Sequence, residues 1–249
     1  NIMQYIAALY LAKQNNLFLA TDPTSVHHNS GNWQIDTIKD KVHKQEFGKL
    51  LVIEKHKQGL KLEGDILRIN DDNFEVYLRH KITQPVEMDG FFQMSALWVD
   101  HHSEIKGLFN VPSDFQKSNK NTLCVVYRSY KEYKLRSKRP SDPLEYDYYD
   151  QMCSGLSYDA GFIMSDDLTD CGVKNISKKY NLKAITMNPL DSMLFAINCD
   201  KLVVGQGTYC YLCAYLSRAS KILHPVLVNA NPQVNNPNYN KDVYDFIKA

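Results

Sequence analysis

The chain has no apolar run near the ~18 residues that a bilayer-spanning helix needs, and no charged-then-apolar leader. Its 249 residues therefore predict a soluble chain. Charge of one sign is also missing: 29 Lys and Arg face 28 Asp and Glu, a net charge of +1. So even a balance leaves no field to hold nucleic acid or an anionic membrane as the main task. Cysteine is absent before Cys124; Cys124, Cys153, Cys171, Cys199, Cys210 and Cys213 lie mostly in apolar runs and read as reduced, buried thiols. Cys210 and Cys213 have a zinc or redox spacing, but no second pair or histidine cluster joins them, which favours a core helix face. His27 and His28, like His101 and His102 beside Asp100, are adjacent in sequence and would point to different helix faces, which argues against a metal clamp. There are no internal repeats, and no acid cluster suggests a catalytic divalent cation.

What is present suits α/β architecture. A hydrophobic fraction of 44% is enough for real cores, and the length suits one large domain or two ordinary ones. Ile2, Ile6 and Leu9 recur at helical spacing with Tyr10 alongside, and residues 17–20 form a short strand broken at Thr21-Asp22-Pro23. Further strands are predicted at residues 50–53, 66–69 and 74–78, then a helix over 94–109 with Trp98, Ile105 and Leu108 inward. The polar stretch 111–121 reads as a linker into a second α/β domain that begins with the strand Thr122 to Tyr127.

The most informative stretch runs from Phe162 to Pro225. Gly161 to Met164 is an apolar strand stopped by Ser165-Asp166-Asp167, so its polar end falls where open α/β sheets place ligands. Asp191 starts an apolar helix through Ile197; the strand Lys201 to Val204 then empties into Gly205-Gln206-Gly207-Thr208-Tyr209, which opens the helix Cys210 to Leu216. Strand, glycine turn and helix N-terminus present backbone N–H groups that suit a phosphate, although the lysine and glycine spacing of a full P-loop are missing. The same pattern also serves plain packing.

The order of these motifs resembles the donor-binding half of the α-1,2-fucosyltransferase family and is similar to the wider group of GDP-fucose-dependent fucosyltransferases. The segments in question are Ser165-Asp166-Asp167, then Asp191, Leu194 and Cys199, then the Gly207-Thr208-Tyr209 turn. Asn1 to Ala7 resembles the family's opening motif from its asparagine onward, Asp89-Gly90-Phe91-Phe92-Gln93 its central G-Y-F-Q-S motif, and Tyr148-Tyr149 its tyrosine pair. All fall in family order over nearly the whole sequence.

The resemblance implies two Rossmann-like, doubly wound domains facing a cleft, the arrangement called GT-B: an acceptor-side α/β domain over 1–115 and a nucleotide-sugar-binding one over 116–249. It implies that Arg128 matches the first arginine of the family's H-x-R-R-G-D site and grips the donor's phosphate, a guanidinium being able to neutralise a leaving diphosphate without metal. The rest of that motif departs, with Val126, Ser129, Tyr130 and Lys131 at its other positions. Asp191 matches the carboxylate that pairs with the guanine edge; Gln206, Gly207, Thr208 and Tyr209 form the turn that meets the diphosphate, with glycine in place of the usual serine. Ser165 and Asp166 lie on the crevice edge, where Asp166 suits ribose or neighbouring-loop hydrogen bonds, the alternative being an N-cap of the next helix. For the general base, Asp22 and His28 are the catalytic candidates beside Arg128, with His27 and Glu132 also on loops that could face the cleft.

The function implied is metal-independent, inverting transfer of L-fucose from GDP-fucose to a glycan hydroxyl. GDP-fucose is then substrate, and no separate cofactor or metal is expected. Two alternatives stay open: a catalytically silent relative that binds glycan or nucleotide, motivated by the broken arginine motif, and a transferase using another nucleotide-sugar, since guanine recognition rests on Asp191. Partners are the donor and a glycan acceptor; a cytoplasmic location is expected, or a lumenal one should an anchor precede Asn1.

Overall fold

The structure, a computed structural model, describes residues 2–17, 20–21, 57–58, 65–90, 95–112, 115, 121–129, 146–205 and 207–224. Two compact units divide the chain, Asn1–Asn110 and Val111–Ala249. Both are α/β with parallel strand pairing.

Unit 1 begins with α1 (Ile2–Asn15), which buries Met3, Ile6, Ala7, Leu9, Tyr10, Leu11 and Ala12. A short strand β1 (Ala20–Thr21) pairs with β2 (Lys57–Gln58). Strand β3 (Leu67–Asn70) pairs in parallel with β4 (Val86–Asp89), and Gln4 reaches from α1 to donate to the Met88 carbonyl at 2.7 Å. Residues 74–78, expected as a strand, instead contain helix α2 (Phe74–Tyr77). The cause is upstream: Asn70 Oδ1 accepts from the N–H groups of Asp72 and Asn73, closing a turn that starts the helix. Phe74 then buries fully while Val76 stays 56% exposed, an arrangement that strand alternation would not give. The helix expected over 94–109 is two, α3 (Ser95–Asp100) and α4 (His102–Lys106), broken at His101, whose backbone at φ −116°, ψ 27° is not helical. Trp98, Ile105 and Leu108 do face the core.

Among the described residues, unit 2 forms a five-stranded parallel sheet in the order β7-β6-β5-β8-β9, comprising β5 (Thr122–Tyr127), β6 (Ala160–Ser165), β7 (Leu182–Ala184), β8 (Lys201–Val204) and β9 (Lys221–Leu223). The helices between them are α5 (Tyr146–Cys153), α6 (Cys171–Lys179), α7 (Pro189–Ile197) and α8 (Thr208–Leu216). All six residues of β5 are buried, as a central strand covered on both faces requires. Alternation sends Leu123, Val125 and Tyr127 to the face covered by α5 and α6, where they meet Tyr149, Cys153, Val173 and Ile176. On the opposite face Phe162 meets Phe195 of α7 edge-on, with ring centres 5.0 Å apart. The sheet is doubly wound, Rossmann-like, and each fully buried aliphatic side chain contributes roughly 1.5–3 kcal/mol through removal from water.

The single β-α-β expected between Gly161 and Val204 is longer than the motif suggested, because α6 and the three-residue strand β7 intervene. Carboxylates align the amino ends of the strands. Asp200 accepts from the Thr122 N–H at 2.8 Å and its hydroxyl at 2.9 Å, and Asp159 accepts from the Asn121 N–H at 3.0 Å. Among the cysteines the expectation of burial holds for five; Cys171, at the start of α6, is exposed, and all six are free thiols.

Candidate functional site

In a parallel sheet ordered β7-β6-β5-β8-β9, the direction of winding reverses between β5 and β8. The connections after those two strands leave to opposite faces, which opens a crevice at their carboxyl ends, the usual ligand position in such sheets. Register puts Val126 opposite Val204, and the Gly205 N–H extends the ladder by donating to the Val126 carbonyl at 3.1 Å. Arg128 is the first residue past β5, and Gly205 follows β8 just before Gly207 and the start of α8, so both predicted phosphate contacts lie on this edge.

The Arg128 side chain is 45% exposed, and its guanidinium lies 3.2 Å from the Asp166 carboxylate, just past β6. Asp166 Oδ1 also accepts from the Ser129 N–H at 2.8 Å and from the Ser165 hydroxyl at 3.3 Å. The structure therefore brings Arg128, Ser165 and Asp166 together, with Asp166 making the neighbouring-loop bonds rather than capping a helix. The cap of α6 is Asp170, which accepts from the Gly172 N–H at 2.7 Å and the Val173 N–H at 3.3 Å. Asp167 closes its own turn, accepting from the Thr169 N–H at 2.9 Å.

At the start of α8, Gly207 takes φ 105°, ψ 159°, a conformation closed to residues with a Cβ. Having no side chain, it caps nothing, so the first-turn N–H groups of Thr208, Tyr209 and Cys210 meet no side-chain acceptor from the cap, and the helix dipole adds positive potential there. By contrast the N–H groups just after β5 are committed: Arg128 to the Tyr149 hydroxyl at 3.0 Å, Ser129 to Asp166. An anion in this crevice would thus be met by the guanidinium and by α8, not by the β5 loop.

The Tyr209 hydroxyl donates to the Pro189 carbonyl at 2.9 Å, joining the first turns of α8 and α7. Burial raises its pKa, so the phenol stays protonated. Asp191 sits in the first turn of α7 as expected, two residues past Pro189. Asn188 caps this helix: its Oδ1 accepts from the Asp191 N–H at 2.8 Å, and its Nδ2 donates to the Asp191 carboxylate at 2.7 Å. The carboxylate is held by one amide and retains lone pairs for a further partner.

Burial likewise pushes the Cys210 thiol up to about 12. Cys210 and Cys213 are 1% and 0% exposed, core positions on α8. Among the described residues no group of three or more His, Cys, Asp or Glu could hold a metal ion, and no helix is long and apolar enough to cross a membrane. Asp22, His27, His28, Glu132 and Gln206 lie outside the described residues, as does the side chain of Thr208.

Sequence reasoning missed Tyr149 as a partner of the Arg128 loop and Asn188 as a cap. The Asn-Pro step of Asn188-Pro189, a common helix-start signal, could have found the second. No protein-family model matches the chain, and no curated protein matches it. Among solved structures it is similar to a crystal structure of POFUT1 in complex with GDP-fucose, over 90% of this chain and 93% of that one, at 10% identity and a TM-score of 0.45.

Proposed function

We propose that unit 2 binds the diphosphate of a nucleotide-sugar and that the protein is a glycosyltransferase, with GDP-fucose as donor and a glycan hydroxyl as acceptor. The observation that carries the reading is the pairing, at the β5/β8 switch point, of the Arg128 guanidinium with the uncapped N-terminus of α8. As the sugar's bond to the diphosphate loosens, negative charge grows on the leaving group, and a guanidinium with backbone amides stabilises it without metal. Asp191, in the first turn of the helix to which the Tyr209 hydroxyl is bonded, is the proposed partner of guanine; the choice of guanine and of fucose rests on the motif resemblance. Inversion and a general base among Asp22, His27, His28 and Glu132 belong to the same proposal.

A second reading, a nucleotide-binding protein without turnover, is favoured by one observation: Asp166 already neutralises Arg128 and fixes the following peptide, so the guanidinium is shared. The deciding experiment is GDP release from GDP-fucose with and without glycan acceptors, in EDTA, beside thermal protection by GDP, UDP, ADP and CMP. Release with acceptor and protection by GDP support the transferase; protection without release supports the silent binder. Protection by UDP and not GDP overturns the donor assignment.

A further inference from the structure

Tyr148 and Tyr149 are consecutive residues of α5, and their hydroxyls reach the ends of two different strands. Tyr149 is fully buried, its ring stacked on Tyr127 with centres 4.1 Å apart, and its hydroxyl accepts from the Arg128 N–H at 3.0 Å. Tyr148 packs edge-on against it at 4.9 Å and donates its hydroxyl to the Val204 carbonyl at 2.8 Å, at the end of β8. Gly205 closes the arrangement: a Cβ there would lie 2.2 Å from the Tyr149 hydroxyl oxygen and 3.4 Å from the Arg128 Cβ. The β5/β8 ladder ends at the Gly205 N–H, so beyond it the two tyrosine hydroxyls and the missing Cβ set how closely the Arg128 loop and the turn into α8 approach.

We infer that Tyr148 and Tyr149 are positioning residues of the anion site: one step of α5 fixes the spacing between the guanidinium-bearing strand end and the glycine turn. The inference rests on the diphosphate-binding reading proposed above. Neither tyrosine touches the ligand. Each acts through a backbone group, Tyr149 on the peptide that carries Arg128 and Tyr148 on the peptide that leads into Gly205. Such control is sensitive to small shifts, since a displacement of about 1 Å from the productive geometry can cost two orders of magnitude in rate.

The test is calorimetric titration of the full-length protein with GDP and with inorganic pyrophosphate, below the thermal midpoint of every variant. Tyr149→Phe removes one oxygen and keeps the ring, and is expected to raise both dissociation constants at least tenfold. Gly205→Ala is expected to do the same, and Tyr149→Phe added to Gly205→Ala is expected to recover part of the loss, because the oxygen that the new Cβ strikes is gone. A merely structural role would lower the midpoint and leave the dissociation constants of the folded protein unchanged; that result overturns the inference. Should Tyr149→Phe fail to fold, Tyr148→Phe carries the same comparison. Wild-type protein that binds neither probe overturns the diphosphate reading itself, whereas wild-type binding with unchanged variants overturns only the positioning role.

Discussion

Arg128 and Asp166 form an ion pair at 3.2 Å across the ends of two adjacent strands, and the other oxygen of the same carboxylate accepts from the Ser129 N–H at 2.8 Å. One acid thus neutralises the guanidinium and fixes the peptide behind it. With both side chains partly exposed the pair adds only about 0–1 kcal/mol to stability, so its importance lies in what the guanidinium can bind.

Arg128→Ala should abolish binding of pyrophosphate and transfer of the sugar while shifting the thermal midpoint by no more than a few degrees, because about 1 kcal/mol at a half-exposed ion pair moves a domain of this size little. Calorimetry and donor turnover on the same preparation check it. Near-normal turnover would refute the site.

Asp166→Asn should tighten pyrophosphate binding severalfold. The amide oxygen still accepts from the buried Ser129, and the Asp166 negative charge that competes with pyrophosphate for the Arg128 guanidinium is gone. Asp166→Ala should instead destabilise by about 1–3 kcal/mol, since the Ser129 N–H loses its acceptor. Equal behaviour of the two variants in denaturant melts would contradict this division of roles.

Asp170→Ala tests a cap rather than the site. Loss of the bonds to Gly172 and Val173 should cost about 0.5–2 kcal/mol. Affinity for GDP should be unchanged within a factor of two, as measured by the same titration.

Burial pushes the thiols of Cys153 and Cys210 up to about 12, from an ordinary value of 9.0. Below pH 9 both folded and unfolded chains keep these protons, so the thiols make no pH-dependent contribution. Above it the unfolded chain ionises first, and stability should fall by at most about 1.4 kcal/mol per pH unit for each thiol until the folded values are reached. Urea melts between pH 8 and 11 measure the slope. A thiol reagent at pH 8 should label exposed Cys171 quickly and buried Cys124, Cys153, Cys199, Cys210 and Cys213 only on unfolding.

The strands that build the crevice were legible because each is an apolar run stopped by polar or glycine residues: Thr122 to Tyr127 before Arg128, Gly161 to Met164 before Ser165, Lys201 to Val204 before Gly205. Helix α6 was not, since only Val173 and Ile176 mark its buried face besides Gly172, and β7 is three residues long. Phe74 to Tyr77 misled for a different reason. Its aromatic and β-branched residues favour a strand, but the turn closed by Asn70 decided for a helix. Within the site, Arg128 and the Gly207 turn could be read locally, while the bond from Arg128 to Tyr149 spans 21 residues and no local pattern encodes it.

Strand β5 pairs with β8 across 78 residues, as the bond from Thr122 to Asp200 also does. During translation β5 therefore emerges long before its second neighbour, and a nascent polypeptide carries its most apolar strand with one edge unpaired. Recombinant yield should consequently depend on chaperone supply and growth temperature, and chains truncated before Lys201 should accumulate as inclusion bodies.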